Sequence, residues 1–223
     1  MQIGILGTGM VGESLASKLV KNGHAVKMGA RQAGNEKAMA WAAKAGGQAS
    51  EGSFAAAAAF GSIVFNCTAG MHSLEALQAA GAENLKGKVL IDVSNPLDFS
   101  KGMPPTLSVG NNDSLGEQIQ RAFPETHVVK ALNTLNAYLM VDPASLAGDH
   151  SLFIAGNDAG AKATVKGLLS KDLGWKPEAI LDAGDISASR GTEGIILLWV
   201  RIFGGLGHAN FNWHINVGPA PKG

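Results

Sequence analysis

Residues 3–12, Ile-Gly-Ile-Leu-Gly-Thr-Gly-Met-Val-Gly, set three glycines between an apolar run and a helical pattern, and nothing else in the chain restricts its fold as much. Residues 3–6 form a buried-strand candidate. Gly7, Gly9 and Gly12 fall on the G-x-G-x-x-G spacing, and Val11, Leu15 and Leu19 recur at helical intervals up to an Asn22-Gly23 stop. Strand, glycine turn and helix in that order predict a βαβ unit built to bind a dinucleotide. Gly7 permits the tight turn, Gly9 lets the backbone approach a pyrophosphate, and Gly12 lets the helix pack against the strand. The helix N-terminus then faces the negative charge, and Thr8, Met10 and Val11 complete the predicted cradle.

The second strand, 24–30, ends Gly29-Ala30-Arg31. An adenosine 2′-hydroxyl is normally met by Asp or Glu about 20 residues after the motif, yet the first acid after this strand is Glu36. A guanidinium with small neighbours suits a 2′-phosphate, which it can hold through two parallel hydrogen bonds. The predicted cofactor is therefore NADP(H) rather than NAD, with Ala30 and Arg31 at its phosphate. Arg31 could alternatively be a solvated cation. Lys37 either reaches the same phosphate or sits on a polar helix face.

Composition narrows the class. Hydrophobic residues make up 46% of 223 and charged residues 16%, the balance of a globular protein. Eighteen basic and 18 acidic residues cancel, which argues against a nucleic-acid or anionic-membrane surface. Cys67 is the sole cysteine, so no intrachain disulfide forms and a reducing compartment is expected. Met1 leads almost at once into the first strand without a secretory pattern, and the most apolar stretch, 195–206, is short and interrupted by Arg201. A cytoplasmic location away from membranes is expected.

Strand and helix patterns alternate along the chain. Helices are expected at 35–45, 53–60, 73–80, from the Ser114/Glu117 capping box to 122, up to about 171, and at 187–203. Strands are expected at 62–68, 88–94, 127–132, 150–155 and 179–183. The pattern predicts an α/β fold, a Rossmann-type doubly wound and mostly parallel sheet. We read residues 1–135 as the NADP-binding domain and 136–223 as a small C-terminal α/β lobe. Residues 95–113, with Pro96, Pro104 and Pro105, form a long non-periodic loop at the carboxyl end of a central strand, where ligands bind in open α/β sheets.

Further candidates lie at strand ends. Thr68, Ala69 and Gly70 should flank the nicotinamide ribose, with His72 just beyond, either lining the pocket or merely opening a helix. Ser94, Asn95 and Pro96 fall in line with the nicotinamide carboxamide. Leu97, Asn133, Thr134 and Leu135 are substrate candidates, although Asn133 and Thr134 could equally satisfy buried backbone groups. Asp182, Asp185, Ser187 and Arg190 look like a polar cluster, which a helix cap and an ion pair explain as well as catalysis does. Cys67 reads as a core filler. His208 and His214 lack partners at metal-ligand spacing, so no metal is expected. No residue stands out as acid or base, and no hydrolytic arrangement is present.

The whole chain resembles the coenzyme F420-dependent NADP oxidoreductases. Three stretches carry the resemblance: 7–31, Val-Val-Lys-Ala-Leu-Asn-Thr-Leu-Asn-Ala at 128–137, and Leu-Asp-Ala-Gly-Asp-Ile-Ser-Ala-Ser-Arg-Gly-Thr-Glu at 181–193. The cytosolic domain of the six-transmembrane ferric reductases is similar. The resemblance implies a Rossmann domain with a small lobe, often homodimeric, passing hydride between NADPH and a deazaflavin or flavin. Many relatives carry Ser before the strand-two Arg, where this chain has Ala30, so one hydroxyl donor is missing from the phosphate site. Hydride transfer between stacked rings needs alignment and dryness more than acid–base groups. Two alternatives stand beside it. One is reduction of a small carbonyl or imine, as in 3-hydroxyacid dehydrogenases, though Lys130 falls on a strand where those enzymes use a helical lysine. The other is a non-catalytic NADPH-binding redox sensor.

Overall fold

In the computed structural model, which describes residues 1–219, successive residues of each central strand face opposite sides of one sheet and enter two separate cores. Ile3 and Ile5 join one core with Ile63, Phe65, Ile91 and Val129, while Leu6 joins the other with Val64, Leu90 and Val128. The chain runs β1 (Gln2–Leu6), α1 (Met10–Lys21), β2 (Ala25–Ala30), α2 (Glu36–Ala45), β3 (Ala49–Ser53), α3 (Phe54–Phe60), β4 (Ile63–Asn66), α4 (Ser73–Ala80), α5 (Ala82–Leu85) and β5 (Val89–Asp92). It continues β6 (Leu97–Asp98), β7 (Thr106–Leu107), α6 (Leu115–Ala122), β8 (His127–Ala131), α7 (Ala137–Val141), β9 (Leu152–Gly156), α8 (Ala159–Lys171), β10 (Ile180–Asp182) and α9 (Ser189–Leu206). Helices α1, α2 and α8 cover the first core; α3, α4 and α6 cover the second.

The eight-stranded sheet is ordered β3-β2-β1-β4-β5-β8-β9-β10. Its first six strands are parallel in the doubly wound dinucleotide-binding order, so the fold is the Rossmann-type α/β sheet expected. The order reverses between β1 and β4, and a ligand crevice opens above such a point. β9 runs antiparallel to β8, and β10 parallel to β9. Both continue the same sheet, and the first core passes from Val129 and Leu135 to Leu152, Trp175 and Ile180 without interruption.

The patterned elements fall where periodicity put them, with Asn35, Ser53 and Ser114 side chains capping α2, α3 and α6. Periodicity did not place β3, α5, α7 or the β6–β7 ladder. β3 (Ala-Ser-Glu-Gly-Ser) has almost no apolar residue, and it can be polar because it is the outermost strand. The 95–113 loop is not structureless: β6 and β7 pair as a short antiparallel ladder within it. Among the described residues no helix is long and apolar enough to cross a membrane.

Candidate active site

The three motif glycines separate by what a side chain would meet. Gly7 has φ +120°, and a Cβ there would stand 2.6 Å from the Cys67 carbonyl oxygen. A Cβ at Gly12 would run into the Gly7 carbonyl oxygen, so α1 can lie against the turn only without one. A Cβ at Gly9 would meet nothing within 4 Å. Gly9 is the N-cap of the twelve-residue α1, and no side chain caps that helix end. The protein thus leaves an open cradle at a helix N-terminus where a side chain would intrude, which fits the pyrophosphate of a dinucleotide.

Two clefts meet over this turn. The first, about 300 Å³, lies between Gly7, Thr8, Ala30 and Arg31 on one side and Thr68, Ala69 and His72 on the other. Asn35 and Glu75 also border it. Arg31 is exposed and has no carboxylate partner among the described residues, so its guanidinium is available at the cleft wall. Lys37 is exposed on α2 and is not part of that wall. One acid near this loop was hidden from sequence order. Glu51 on β3 accepts a hydrogen bond from the Gly34 amide at 3.0 Å and so braces the turn that follows Arg31. It is 17 residues away from Gly34 in sequence, and only the pairing of β3 with β2 brings it there.

The second cleft, about 400 Å³, shares Thr68, Ala69 and His72 with the first. Val11, Gly70, Met71, Val93, Ser94, Asn95, Leu97 and Phe99 complete it. Gly70 has a structural reason of its own, because a Cβ there would collide with the Asn95 carbonyl and crowd Pro96 at 2.8 Å. Pro96 is buried beside these residues and supports the cleft without lining it. The Cys67 thiol at the cleft's base is pushed up by burial and then by the Asp92 charge, so it stays protonated and unreactive.

Beneath this cleft lies a polar network that sequence reading missed. The Asn66 amide donates to Asp92 Oδ1 at 2.9 Å and to Ser73 Oγ at 3.1 Å, and its oxygen accepts from Thr68 Oγ1 at 2.6 Å. Lys130 Nζ lies 2.6 Å from Asp92 Oδ2 and 2.7 Å from Glu193 Oε1, and it donates to the Ser94 carbonyl at 2.9 Å. All three charged side chains are at most 2% exposed. Burial pushes the Lys130 pKa down; the two carboxylates outweigh that and raise it, so Lys130 stays charged. Asp92 and Glu193 carried no spacing signal, and Lys130 was set aside because it falls on a strand.

The substrate candidates after β8 are not brought to the cleft wall. Asn133, Thr134 and Leu135 are buried, and Leu135 packs in the first core. Asn133 instead exchanges hydrogen bonds with Asn95, through its own carbonyl at 2.7 Å and its amide at 2.9 Å. Its amide also donates to the buried Thr192 carbonyl at 3.0 Å, a backbone-satisfying role, while the Thr134 hydroxyl finds no partner among the described residues. The chain turns there at Leu132, a non-glycine residue held at φ +65°.

The 182–190 cluster also separates. Because β9 and β10 run against β8, Asp182 ends at the sheet edge opposite the glycine turn, paired with Lys162 at 2.9 Å. Asp185 caps the Ser187 amide, and Arg190 binds Glu117 of α6, with Nε at 2.8 Å. A further cavity, about 720 Å³, lies away from the glycine turn between residues 143–151, 174–181 and the tail at His214–Val217. It has no part of the dinucleotide motif. Among the described residues no three His, Cys, Asp or Glu side chains group as a metal site.

Comparison with known proteins agrees with this geometry. The family model for NADP oxidoreductase, coenzyme F420-dependent, matches residues 2–96. A solved structure from Arthrobacter sp. FB24, assigned as an F420-dependent NADP-reductase, is 51% identical, covers 97% of this chain and 100% of its own, and superposes with a TM-score of 0.91. The chain belongs to the coenzyme F420-dependent NADP oxidoreductase family. Membership places it among NADP-dependent oxidoreductases, and NADP(H) is the dinucleotide that the family description names. Metalloreductase STEAP3 of Rattus norvegicus is 31% identical over 199 residues, 88% of this chain and 36% of that protein. The chain spans about a third of the length of the curated relatives it matches. A reductive aminase of Aspergillus terreus, solved with NADPH and ethyl levulinate, is 19% identical over 92% of this chain and 61% of its own, with a TM-score of 0.64. That likeness is one of fold.

Proposed function

We propose that this family member transfers hydride between NADP(H) and a planar deazaflavin or flavin acceptor, with the dinucleotide along the first cleft and the acceptor in the second. The observation that carries the reading is the continuity of the two clefts through Thr68, Ala69 and His72 at the topological switch point. NADPH supplies the hydride. The chain's own residues bind, orient and exclude water. Gly9 and the free amides of α1 would meet the pyrophosphate, and Thr8, Met10 and Val11 flank it. Arg31 would hold the 2′-phosphate beside Ala30, and Lys37, on α2 outside the cleft wall, would add only long-range attraction. Thr68, Ala69, Gly70, His72, Ser94, Asn95 and Pro96 would surround the nicotinamide end. Val11, Met71, Leu97 and Phe99 supply the apolar wall that a flat ring needs, and Leu135 packs in the first core.

A division near residue 135 would make the six parallel strands β1–β5 and β8 the dinucleotide part and β9, β10 and α9 a supporting lobe of the same sheet. We read the apolar second half of α9, where Leu198, Phe203 and Leu206 are exposed, as the face that a second copy covers in a homodimer. The lone thiol and balanced charge favour a cytoplasmic setting without nucleic-acid or membrane partners.

Anaerobic NADPH oxidation by the purified protein tests the reading against deazaflavin, FMN, FAD, ferric chelate and small carbonyls. Turnover with the flat-ring acceptors is expected. Turnover with carbonyls or imines alone would assign the chain to that second chemistry, and tight NADPH binding without turnover would make it a sensor.

A further inference from the structure

Segment 95–113 leaves the sheet at Ser94 and rejoins regular structure at α6. Its two ends are separated in sequence but converge on one buried cation. At the departing end, the Ser94 carbonyl accepts from Lys130 Nζ at 2.9 Å, while the Ser94 amide and hydroxyl donate to Asp92 Oδ1 at 3.2 and 2.6 Å. At the returning end, the first amides of α6, Leu115 and Gly116, donate to the two Glu193 oxygens at 2.8 and 2.9 Å. Lys130 Nζ joins these ends by pairing with Asp92 and Glu193 at 2.6 and 2.7 Å. Nζ thus donates to the Ser94 carbonyl while lying within ion-pair distance of both carboxylates, so the two ends share one charge. Gly116 lets α6 come this close: a Cβ there would stand 2.5 Å from Ser189 Oγ and 3.2 Å from Lys130 Cε.

Between the two ends the segment is held weakly. The β6–β7 ladder is two residues long, a Ser108 amide bond to the Pro96 carbonyl at 2.8 Å supports it, and Phe99 and Met103 at its tip are 55% and 65% exposed. Yet Leu97 and Phe99 form the apolar wall of the second cleft. We propose that Lys130, through Asp92 and Glu193, clamps both ends of segment 95–113 and thereby sets where that wall stands against the hydride acceptor. Lys130 lines neither cleft, so it is a positioning residue. The assignment of the wall to an acceptor rests on the function proposed above; the clamp does not.

The test compares the full chain, Lys130→Met and the double variant Lys130→Met/Glu193→Gln by hydrogen exchange, tryptic cleavage after Lys101, and binding of 2′,5′-ADP. Exchange within 95–113 should rise at least about tenfold in both variants, while β1–α1 amides and 2′,5′-ADP affinity stay within about twofold. The double variant should regain thermal stability, because one buried carboxylate is neutralised, without regaining protection of the segment. With an active acceptor, its KM should rise about tenfold or more. Wild-type protection of 95–113 in a folded Lys130→Met chain would overturn the clamp, as would loosening shared equally by the whole molecule. Should Lys130→Met fail to fold, Glu193→Gln alone is read the same way. If no flat-ring acceptor turns over in the wild type, the proposed function fails, and exchange still decides the clamp.

Discussion

The glycine turn at 7–12 and the Lys130 cluster lie at the same edge of the sheet and are built by opposite means. The turn is nearly all backbone: Gly7 and Gly12 exist for close approach, and Gly9 leaves space open to the outside. The cluster is all side chain, three charges at most 2% exposed, drawn from β5, β8 and α9. A backbone device tolerates no added atoms. A charge device tolerates no missing partner, because each buried ion left alone carries its full desolvation cost.

The largest effects should come from the turn. Gly12→Val should destabilise the fold itself, since its side chain meets the Gly7 carbonyl, whereas Gly9→Val should fold normally and lose binding of both NADPH and NADH by more than about a hundredfold. Thermal unfolding with cofactor titration separates the two, and unimpaired NADPH binding by Gly9→Val would remove the turn from the site. Next comes the cluster: Lys130→Met should lower stability by about 3–5 kcal/mol in urea denaturation, because it strands two buried carboxylates. A loss below about 1 kcal/mol would mean that water reaches them.

Arg31→Ala should weaken NADPH binding by roughly tenfold to a hundredfold and leave NADH nearly unchanged, as loss of one charged phosphate contact predicts. Equal losses would refute the phosphate assignment. A smaller, pH-dependent effect is expected where α9 meets α6. Hydrogen bonds from Arg190 hold the Glu117 carboxyl below its ordinary range, and those from Arg121 hold Asp113 at about 2. Depressed carboxyl pKa values contribute stability above the ordinary carboxylate range that fades as pH falls through the folded values. Glu117→Gln should therefore flatten the loss of stability as pH falls below the ordinary carboxylate range, measured by thermal unfolding. Glu51→Gln should have the smallest effect, raising NADPH affinity by about twofold at low salt by removing a negative charge near Arg31. A loss of affinity would show instead that bracing Gly34 matters more than charge.

The difference between the two regions also explains what could be read in advance. Periodicity placed the core strands and helices because their partners are a few residues away, and Asn35, Ser53 and Ser114 cap their own helices. The outer strand β3 had no apolar pattern to betray it, and the acid it carries, Glu51, went unseen with it. Asn133 was visible as a polar residue after a strand, but its engagement with Asn95 rather than a ligand depends on β5 and β8 being neighbours. Arg190 was expected in an ion pair; that its partner is Glu117, 73 residues back, follows from where α6 lands.

By itself the order strand, glycines, helix determined a Rossmann opening, and Arg31 in place of an acid pointed to NADP, because tight turns, helix ends and phosphate charge make demands on residues close together in the chain. Only the tertiary structure decided that Lys130 is a fully compensated buried ion, that Glu193 holds the start of α6 from 77 residues away, and that Asp182 lies at the far edge of the sheet. Those outcomes hang on strand order and on the reversal of β9. A buried charge can be understood only with its counter-charges, and here they come from elements that nothing local to Lys130 foretells.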